Sequence, residues 1–194
     1  MRRNNPLVIA EVKTESPFGF RSDRSWTELF AIALDVGDVV SVHVDPRWGG
    51  SLGFLRGARA LTTRPLLAKG IHAADIDVRR ALGAGAQWVL VVGRVPAPDL
   101  LPFCLLEPKS VAEAVEMPVT ARLVWNARDI ETGKRKQESY GDLRRALGPD
   151  RWICQASFIG SWGDVAPSAS AILVGEYLPE FAKAWPRQRL KERS

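Results

Sequence analysis

Side chains capable of acid–base chemistry recur at the ends of short apolar segments. They are Glu11, Lys13, Asp45, Lys69, Glu107, Asn126 and Ser157. A lysine can protonate or stabilise a developing alkoxide, and a carboxylate can accept a proton. Because side chains alternate along a strand, Glu11 and Lys13 share one face, as do Leu105 and Glu107. If these faces point inward, the sequence predicts a lysine–glutamate acid–base site.

The apolar segments that carry these residues have the length and the Val, Ile and Leu content of buried parallel strands. The predicted strands are Leu7–Lys13, Val39–Asp45, Pro65–Lys69, Trp88–Gly93, Phe103–Glu107, Arg122–Asn126, Trp152–Ser157 and Ala171–Gly175. Helical spacing of apolar residues predicts helices over Trp26–Val36, Leu52–Leu61, Ala74–Leu82, Ser110–Glu116 and Tyr140–Leu147. Strands that alternate with helices predict an α/β fold, and eight strands predict a closed (β/α)8 TIM barrel. We interpret residues 1–194 as one domain, with the barrel over about residues 7–182 and a charged C-terminal tail at 183–194.

Two connections are too short for a regular barrel unit. Arg94–Pro102 holds three prolines and is shorter than the helical crossover between parallel strands usually is, so the fourth helix is predicted to be missing. Phe158–Ser170 has room for one or two helical turns, which predicts a shortened seventh helix. These two short connections predict a compact barrel. A homodimer that covers the gap near Arg94–Pro102 is a further hypothesis.

Composition narrows the classes of function. The chain has no run of about 18 apolar residues and no secretory signal, which predicts a cytoplasmic protein with no membrane partner. Cys104 and Cys154 lie in apolar segments, so buried thiols are expected rather than a disulfide. The net charge of +5 comes without a nucleic-acid-binding motif, which favours a phosphorylated small molecule as partner and excludes nucleic acid.

Each of the two histidines allows a structural and a functional interpretation. His43 and Asp45 share a strand face and could bind a metal, but two histidines in the whole chain favour a hydrogen-bonded barrel histidine and no metal site. His72 follows Lys69 and could contact substrate, although an exposed loop histidine is the default expectation. Three strand tryptophans, Trp88, Trp125 and Trp152, are expected in the core.

Several of these segments together resemble one enzyme family. The segment Ile9-Ala10-Glu11-Val12-Lys13-x-x-Ser16-Pro17 is similar to the first-strand signature of indole-3-glycerol phosphate synthases. The further matches, in the same order along the chain, are Gly50-Ser51, Leu67-Ala68-Lys69, Leu105-Leu106-Glu107, Asn126-x-Arg128-Asp129-Ile130-Glu131-Thr132 and Val174-Gly175-Glu176-x-Leu178. The resemblance runs from about Leu7 to Glu180 and implies a divergent, shortened member of that family.

The resemblance implies a reaction that closes an indole ring on 1-(2-carboxyphenylamino)-1-deoxyribulose 5-phosphate and releases carbon dioxide and water, without a cofactor. It makes Lys69 the general acid and Glu107 the base, with Lys13 on the substrate carboxylate. Glu11 and Asn126 would position these groups. The implied substrate- and phosphate-binding residues are Ser16, Trp48, Arg128, Ser157, Gly175 and Glu176.

Departures from the family pattern keep a second function open. The family's Glu-Ser-Gly at the seventh strand is Ala156-Ser157-Phe158 here, and its Lys-Asp-Phe at the third strand is Lys69-Gly70-Ile71. Only six residues precede Leu7, where the family has an N-terminal extension. The alternative is therefore a catalytically impaired or inactive barrel that binds a phosphorylated metabolite.

Overall fold

The computed structural model describes residues 5–191, with side chains described through residue 184. The strands are β1 (Leu7–Val12), β2 (Val39–His43), β3 (Leu66–Lys69), β4 (Trp88–Val92), β5 (Cys104–Glu107), β6 (Arg122–Asn126), β7 (Ile153–Ala156) and β8 (Ala171–Val174). The α-helices are α1 (Trp26–Val36), α2 (Leu52–Leu61), α3 (Asp75–Gly83), α4 (Val111–Glu116), α5 (Tyr140–Leu147) and α6 (Leu178–Lys191). Each strand pairs in parallel with the next, and β8 pairs with β1, so the sheet closes into an eight-stranded barrel.

The closed barrel confirms the predicted (β/α)8 architecture. The predicted strands differ from those observed by at most two residues at an end, and three of the five predicted helices have the observed bounds. Helix starts have a local cause, because serine side chains accept a backbone hydrogen bond at the N-termini of α1, α2, α4 and α5. The last helix continues to Lys191, into the segment interpreted as a tail; the side chains of that segment from residue 185 lie outside the described residues.

The two predicted truncations are also present. Between β4 and β5 the chain forms only a 3-10 turn at Leu101–Phe103, and after β7 it forms a 3-10 turn at Trp162–Asp164. Around the first gap, Val95 and Phe103 are 45% and 46% exposed. A homodimer across this gap stays a prediction, which light scattering would test.

Alternation along the strands separates two apolar layers. One layer, which includes Ile9, Leu67, Leu105 and Val124, fills the barrel interior. The other, which includes Val8, Ala10 and the buried faces of the helices, packs between barrel and helices. Glu11 and Lys13 continue the face of Ile9, so the fold directs them toward the interior at the C-terminal end of the strands. We call this end the mouth of the barrel.

The prediction for the cysteines is confirmed, and that for the tryptophans is confirmed in full only for Trp125. Cys104 and Cys154 are free, buried thiols. Trp125 is completely buried, whereas Trp88 and Trp152 are partly buried against the inner layer. Among the described residues, no helix has the length and apolarity required to cross a membrane.

Candidate active site

The barrel mouth brings most of the predicted site residues around one cavity, the central pocket. Its polar and aromatic lining comprises Lys13, Phe18, His43, Trp48, Lys69, Glu107, Asn126, Arg128 and Ser157. A second cavity adjoins it and adds Glu11, Gly175 and Glu176. Ser16 lines neither cavity, and its hydroxyl accepts a hydrogen bond from Phe18 N within the loop after β1. The predicted residues other than Ser16 therefore line two adjoining cavities at the mouth.

Glu11 is the hub that fixes the first three strands to one another. Lys69 Nζ donates to its two carboxylate oxygens at 3.0 and 3.1 Å, and His43 Nε2 bonds to Oε1. Burial alone would raise the pKa of Glu11, but the nearby Lys69, His43 and Lys13 outweigh burial and hold that pKa far below its ordinary value. Glu11 is thus an ionised anchor that orients the Lys69 ammonium.

Glu107 has the opposite electrostatic environment. Burial raises its pKa, and Lys69 and the hydrogen bond from Asn126 offset that effect only in part. Asn126 Nδ2 donates to Glu107 Oε1 at 2.9 Å, and Ser157 Oγ donates to Asn126 Oδ1 at 2.6 Å. Two carboxyls with pKa values displaced in opposite directions suit different roles, one as a fixed anion and the other as a group that exchanges a proton.

Cations gather at the side of the site next to β8. Lys13 Nζ lies 2.7 Å from Glu176 Oε1, and Arg128 Nη2 lies 2.6 Å from Glu176 Oε2. Burial lowers the pKa of Lys13, and Glu11 and Glu176 counteract that effect. The carboxylate of Glu176 therefore bridges two cations that could otherwise receive a substrate carboxylate or phosphate.

The backbone after β7 is strained where the family has glycine. Ser157 and Phe158 both have positive φ, at 67° and 57°. The Phe158 ring lies between Arg128 and Arg135, whose guanidinium carbons are 4.7 and 4.2 Å from its centre. Cation–π contacts of this kind help to hold an unfavourable left-handed backbone.

Trp48 and Gly175 determine the shape of the site, one by the space that its ring fills and the other by the space that it leaves open. Trp48 stacks on His43 with 5.9 Å between ring centres and 6° between planes. A Cβ at Gly175 would clash with the Glu11 carboxylate, so glycine is required for this close approach. Trp48 thus forms an aromatic wall, and Gly175 makes room for the hub.

Two neighbours of the site were not anticipated. Lys136 Nζ lies 4.4 Å from the centre of the Trp125 ring and donates to Pro108 O, and its charge interacts with Glu107. Phe18 packs onto Gly133 so closely that a Cβ there would clash. Both belong to loops whose conformation depends on distant partners, and only the basic run from Lys134 to Lys136 hinted at a cationic site.

The histidine predictions had different outcomes. His43 is the hydrogen-bonded barrel histidine that was expected, and the described residues contain no group of three metal-ligating side chains. The expectation that His72 is exposed was wrong. His72 is only 7% exposed, because its ring folds inward and Nδ1 bonds to Leu90 O at 2.6 Å.

The central pocket is nearly filled in this conformation. Its volume is about 40 Å³, whereas pockets for small molecules have roughly 300 Å³ or more. Phe18 and Ile130 come from loops that cover the mouth. A sugar phosphate needs more room than the central pocket offers in this conformation.

The fold and site define a TIM barrel with a lysine and a glutamate converging on the mouth. Three proteins similar to this chain are each named indole-3-glycerol phosphate synthase. The one from Paenarthrobacter aurescens is 29% identical over 98% of this chain and 77% of its own length. Those from Nocardioides sp. and Geobacillus kaustophilus are 31% and 29% identical over 88% of this chain, covering 74% and 75% of their own lengths.

No model of a protein family matches the chain. The relatives nevertheless match nearly the whole barrel. The chain belongs to the indole-3-glycerol phosphate synthase family, a family of lyases, as a divergent and shortened member.

Proposed function

We propose that this chain closes an indole ring on 1-(2-carboxyphenylamino)-1-deoxyribulose 5-phosphate, with loss of carbon dioxide and water. One observation carries the proposal: Lys69 and Glu107 line the same pocket, and each has the supporting contacts that its role needs. Glu11 fixes the Lys69 ammonium, and burial raises the pKa of Glu107 so that it can exchange a proton.

Ring closure begins at the ribulose carbonyl. The Lys69 ammonium donates a proton to the carbonyl oxygen while the aromatic carbon that carries the carboxylate bonds to the carbonyl carbon. The carboxylate then leaves as carbon dioxide, which restores the aromatic ring. General acid catalysis contributes roughly 10²- to 10⁴-fold in rate.

Dehydration completes the reaction. The new hydroxyl group takes a proton from the Glu107 carboxyl and leaves as water, and the resulting Glu107 carboxylate accepts the proton that the five-membered ring loses. Asn126 holds Glu107 through its amide, and Ser157 holds Asn126. The substrate carboxylate and one proton, which Lys69 supplies and regains from solvent, give the indole product, one carbon dioxide and one water.

The remaining residues bind the ends of the substrate. In the proposed reaction Lys13 binds the carboxylate and Trp48 contacts the phenyl ring, which is supported by their position in the lining of the central pocket. Arg128, Ser157 and the backbone at Gly175 border the adjoining cavity, which suits the phosphate. Ser16 joins them only if the loop after β1 rearranges.

The test is turnover by purified protein, followed by the fluorescence of the indole product. We expect the wild-type chain to form product and Lys69→Ala to be at least 100-fold slower, because its general acid is gone. Lys183→Ala, an exposed lysine on α6, is the matched control and should behave as wild type. Wild-type turnover no higher than that of Lys69→Ala would eliminate the proposal.

A second candidate is a barrel that binds a phosphorylated metabolite without turnover. Ala156 stands where the family has a carboxylate, and the cations Lys13 and Arg128 are already paired with Glu176. This candidate predicts heat of binding in calorimetry with substrate but no product. Rescue of a tryptophan auxotroph that lacks the synthase would decide for the enzyme.

A further inference from the structure

The imidazole of His43 is bound at one nitrogen and unsatisfied at the other. Nε2 bonds to Glu11, whereas Nδ1 has no partner among the described residues and is shielded from solvent. The side chain is 5% exposed and lines the central pocket. Leaving a buried polar atom unpaired costs stability, so this atom calls for a functional explanation.

The hydrogen-bond network determines which nitrogen carries the proton. Glu11 is an ionised carboxylate that can only accept, so His43 Nε2 must be the N–H donor. Burial lowers the pKa of His43, and the attraction of Glu11 offsets this only in part, so the ring is neutral near pH 7. Nδ1 is therefore a lone-pair acceptor.

The surroundings of His43 otherwise offer donors. Lys13 and Lys69 also line the central pocket, and both can only donate hydrogen bonds. Trp48 lies nearly parallel to the imidazole at 5.9 Å. A ligand group that satisfies Nδ1 must then be a donor attached close to an aromatic ring and near two groups that the lysines recognise.

The substrate of the proposed function has one group of that description. Its arylamine nitrogen is bonded to the phenyl ring, sits ortho to the carboxylate, and is one methylene away from the carbonyl. These two flanking groups are the ones assigned to Lys13 and Lys69. Lys13 follows β1, His43 ends β2 and Lys69 ends β3, so their order around the barrel is that of the carboxylate, amine and carbonyl along the substrate.

We propose that His43 is a further substrate-binding residue, whose Nδ1 accepts a hydrogen bond from the arylamine N–H. The inference rests on the proposed function, since it names a contact to that substrate. It makes His43 a determinant of specificity for a secondary amine over an ether at this position. Glu11 then has a second task, which is to hold the tautomer that exposes the acceptor.

The experiment compares two analogues that cannot cyclise because their carbonyl is reduced to an alcohol. One keeps the arylamine, and the other has an ether oxygen in its place. Calorimetry measures their affinities for wild type, His43→Gln and His43→Asn. The Gln amide can reach Glu11 but has no acceptor at the Nδ1 position, whereas Asn keeps an acceptor near Nδ1 and cannot reach Glu11.

We expect wild type to bind the amine at least 10-fold more tightly than the ether. His43→Gln should bind the two analogues equally, and His43→Asn should retain part of the preference. Thermal unfolding of both variants checks that they are folded. A preference that persists in His43→Gln, an equal loss in both variants, or tighter ether binding by wild type would each overturn the inference.

The two proposals fail differently. Absence of turnover together with an amine preference that depends on His43 would remove the proposed reaction and leave the His43 contact in place. Turnover without such a preference would remove the His43 contact alone. If neither analogue binds wild type, the His43 contact is overturned, and the turnover assay alone decides whether the reaction is overturned with it.

Discussion

The carboxylate of Glu176 lies 2.7 Å from the ammonium of Lys13, although 163 positions separate them in the chain. The same carboxylate also binds Arg128. It thereby stands where an anionic group of the substrate is expected. A substrate that binds as proposed must displace Glu176 or share its two cations.

Removal of this charge should strengthen anion binding. In Glu176→Gln, Lys13 and Arg128 lose a competing negative charge, so we expect the affinity for inorganic phosphate to rise about 10-fold, which equals about 1.4 kcal/mol. Calorimetric titration with phosphate measures it. Glu180→Gln, an exposed glutamate on α6, is the control. Weaker phosphate binding in Glu176→Gln would mean that Glu176 organises the cations and does not compete for them.

A single methyl group added at Gly175 should displace the Glu11 carboxylate. A Cβ at Gly175 clashes with Glu11, which is pinned by Lys69 and His43, so Gly175→Ala should cut kcat at least 10-fold by misplacing the Lys69 ammonium. At Gly57, an exposed position of α2, a Cβ meets nothing within 4 Å. Gly57→Ala should keep full activity and gain about 1 kcal/mol in unfolding free energy. Equal kcat in the two variants would contradict this account of Gly175.

The depressed pKa of Glu11 makes stability depend on pH. The folded state binds this proton more weakly than the unfolded state does, so the contribution is complete above the ordinary pKa of 4.5 and is lost as pH falls below it. Glu11→Gln should therefore cost about 3 kcal/mol at pH 7, because Lys69 loses its buried partner. The deficit should shrink as the pH is lowered below 4.5.

Urea unfolding at pH 7 and at pH 3 measures this change. The exposed Glu116→Gln provides the control, with little effect at either pH. A deficit for Glu11→Gln that is independent of pH would show that packing, and not charge, explains the effect.

The backbone conformation of Phe158 destabilises the fold, whereas the contacts of its side chain stabilise it. A left-handed backbone costs a non-glycine residue about 1–2 kcal/mol, and its two arginine contacts return part of that. Phe158→Ala removes the two arginine contacts but keeps the conformational cost of the left-handed backbone. Phe158→Gly removes the contacts and that cost. We expect the glycine variant to be about 1 kcal/mol more stable than the alanine variant in urea unfolding. The reverse order would show that the observed φ is not the source of strain.

The sequence by itself determined the barrel and the inward set of polar residues. Alternation along strands gives Glu11, Lys13, Lys69, Glu107 and Asn126 a common face, and parallel strands present their C-terminal ends at one mouth. The barrel and the common inward face both follow from the periodicity of apolar residues along the strands and helices and from the short connections between them. The missing fourth helix followed in the same way, because its connection lacks the residues to form one.

Only the tertiary structure decided how those groups are paired. The bond between Glu11 and His43 requires the β1–β2 register, and the bridge from Lys13 through Glu176 to Arg128 requires the barrel to close from β8 onto β1. The inward fold of His72 depends on Leu90 in β4. Such contacts join residues that are distant along the chain and depend on loop conformation, which no local pattern encodes.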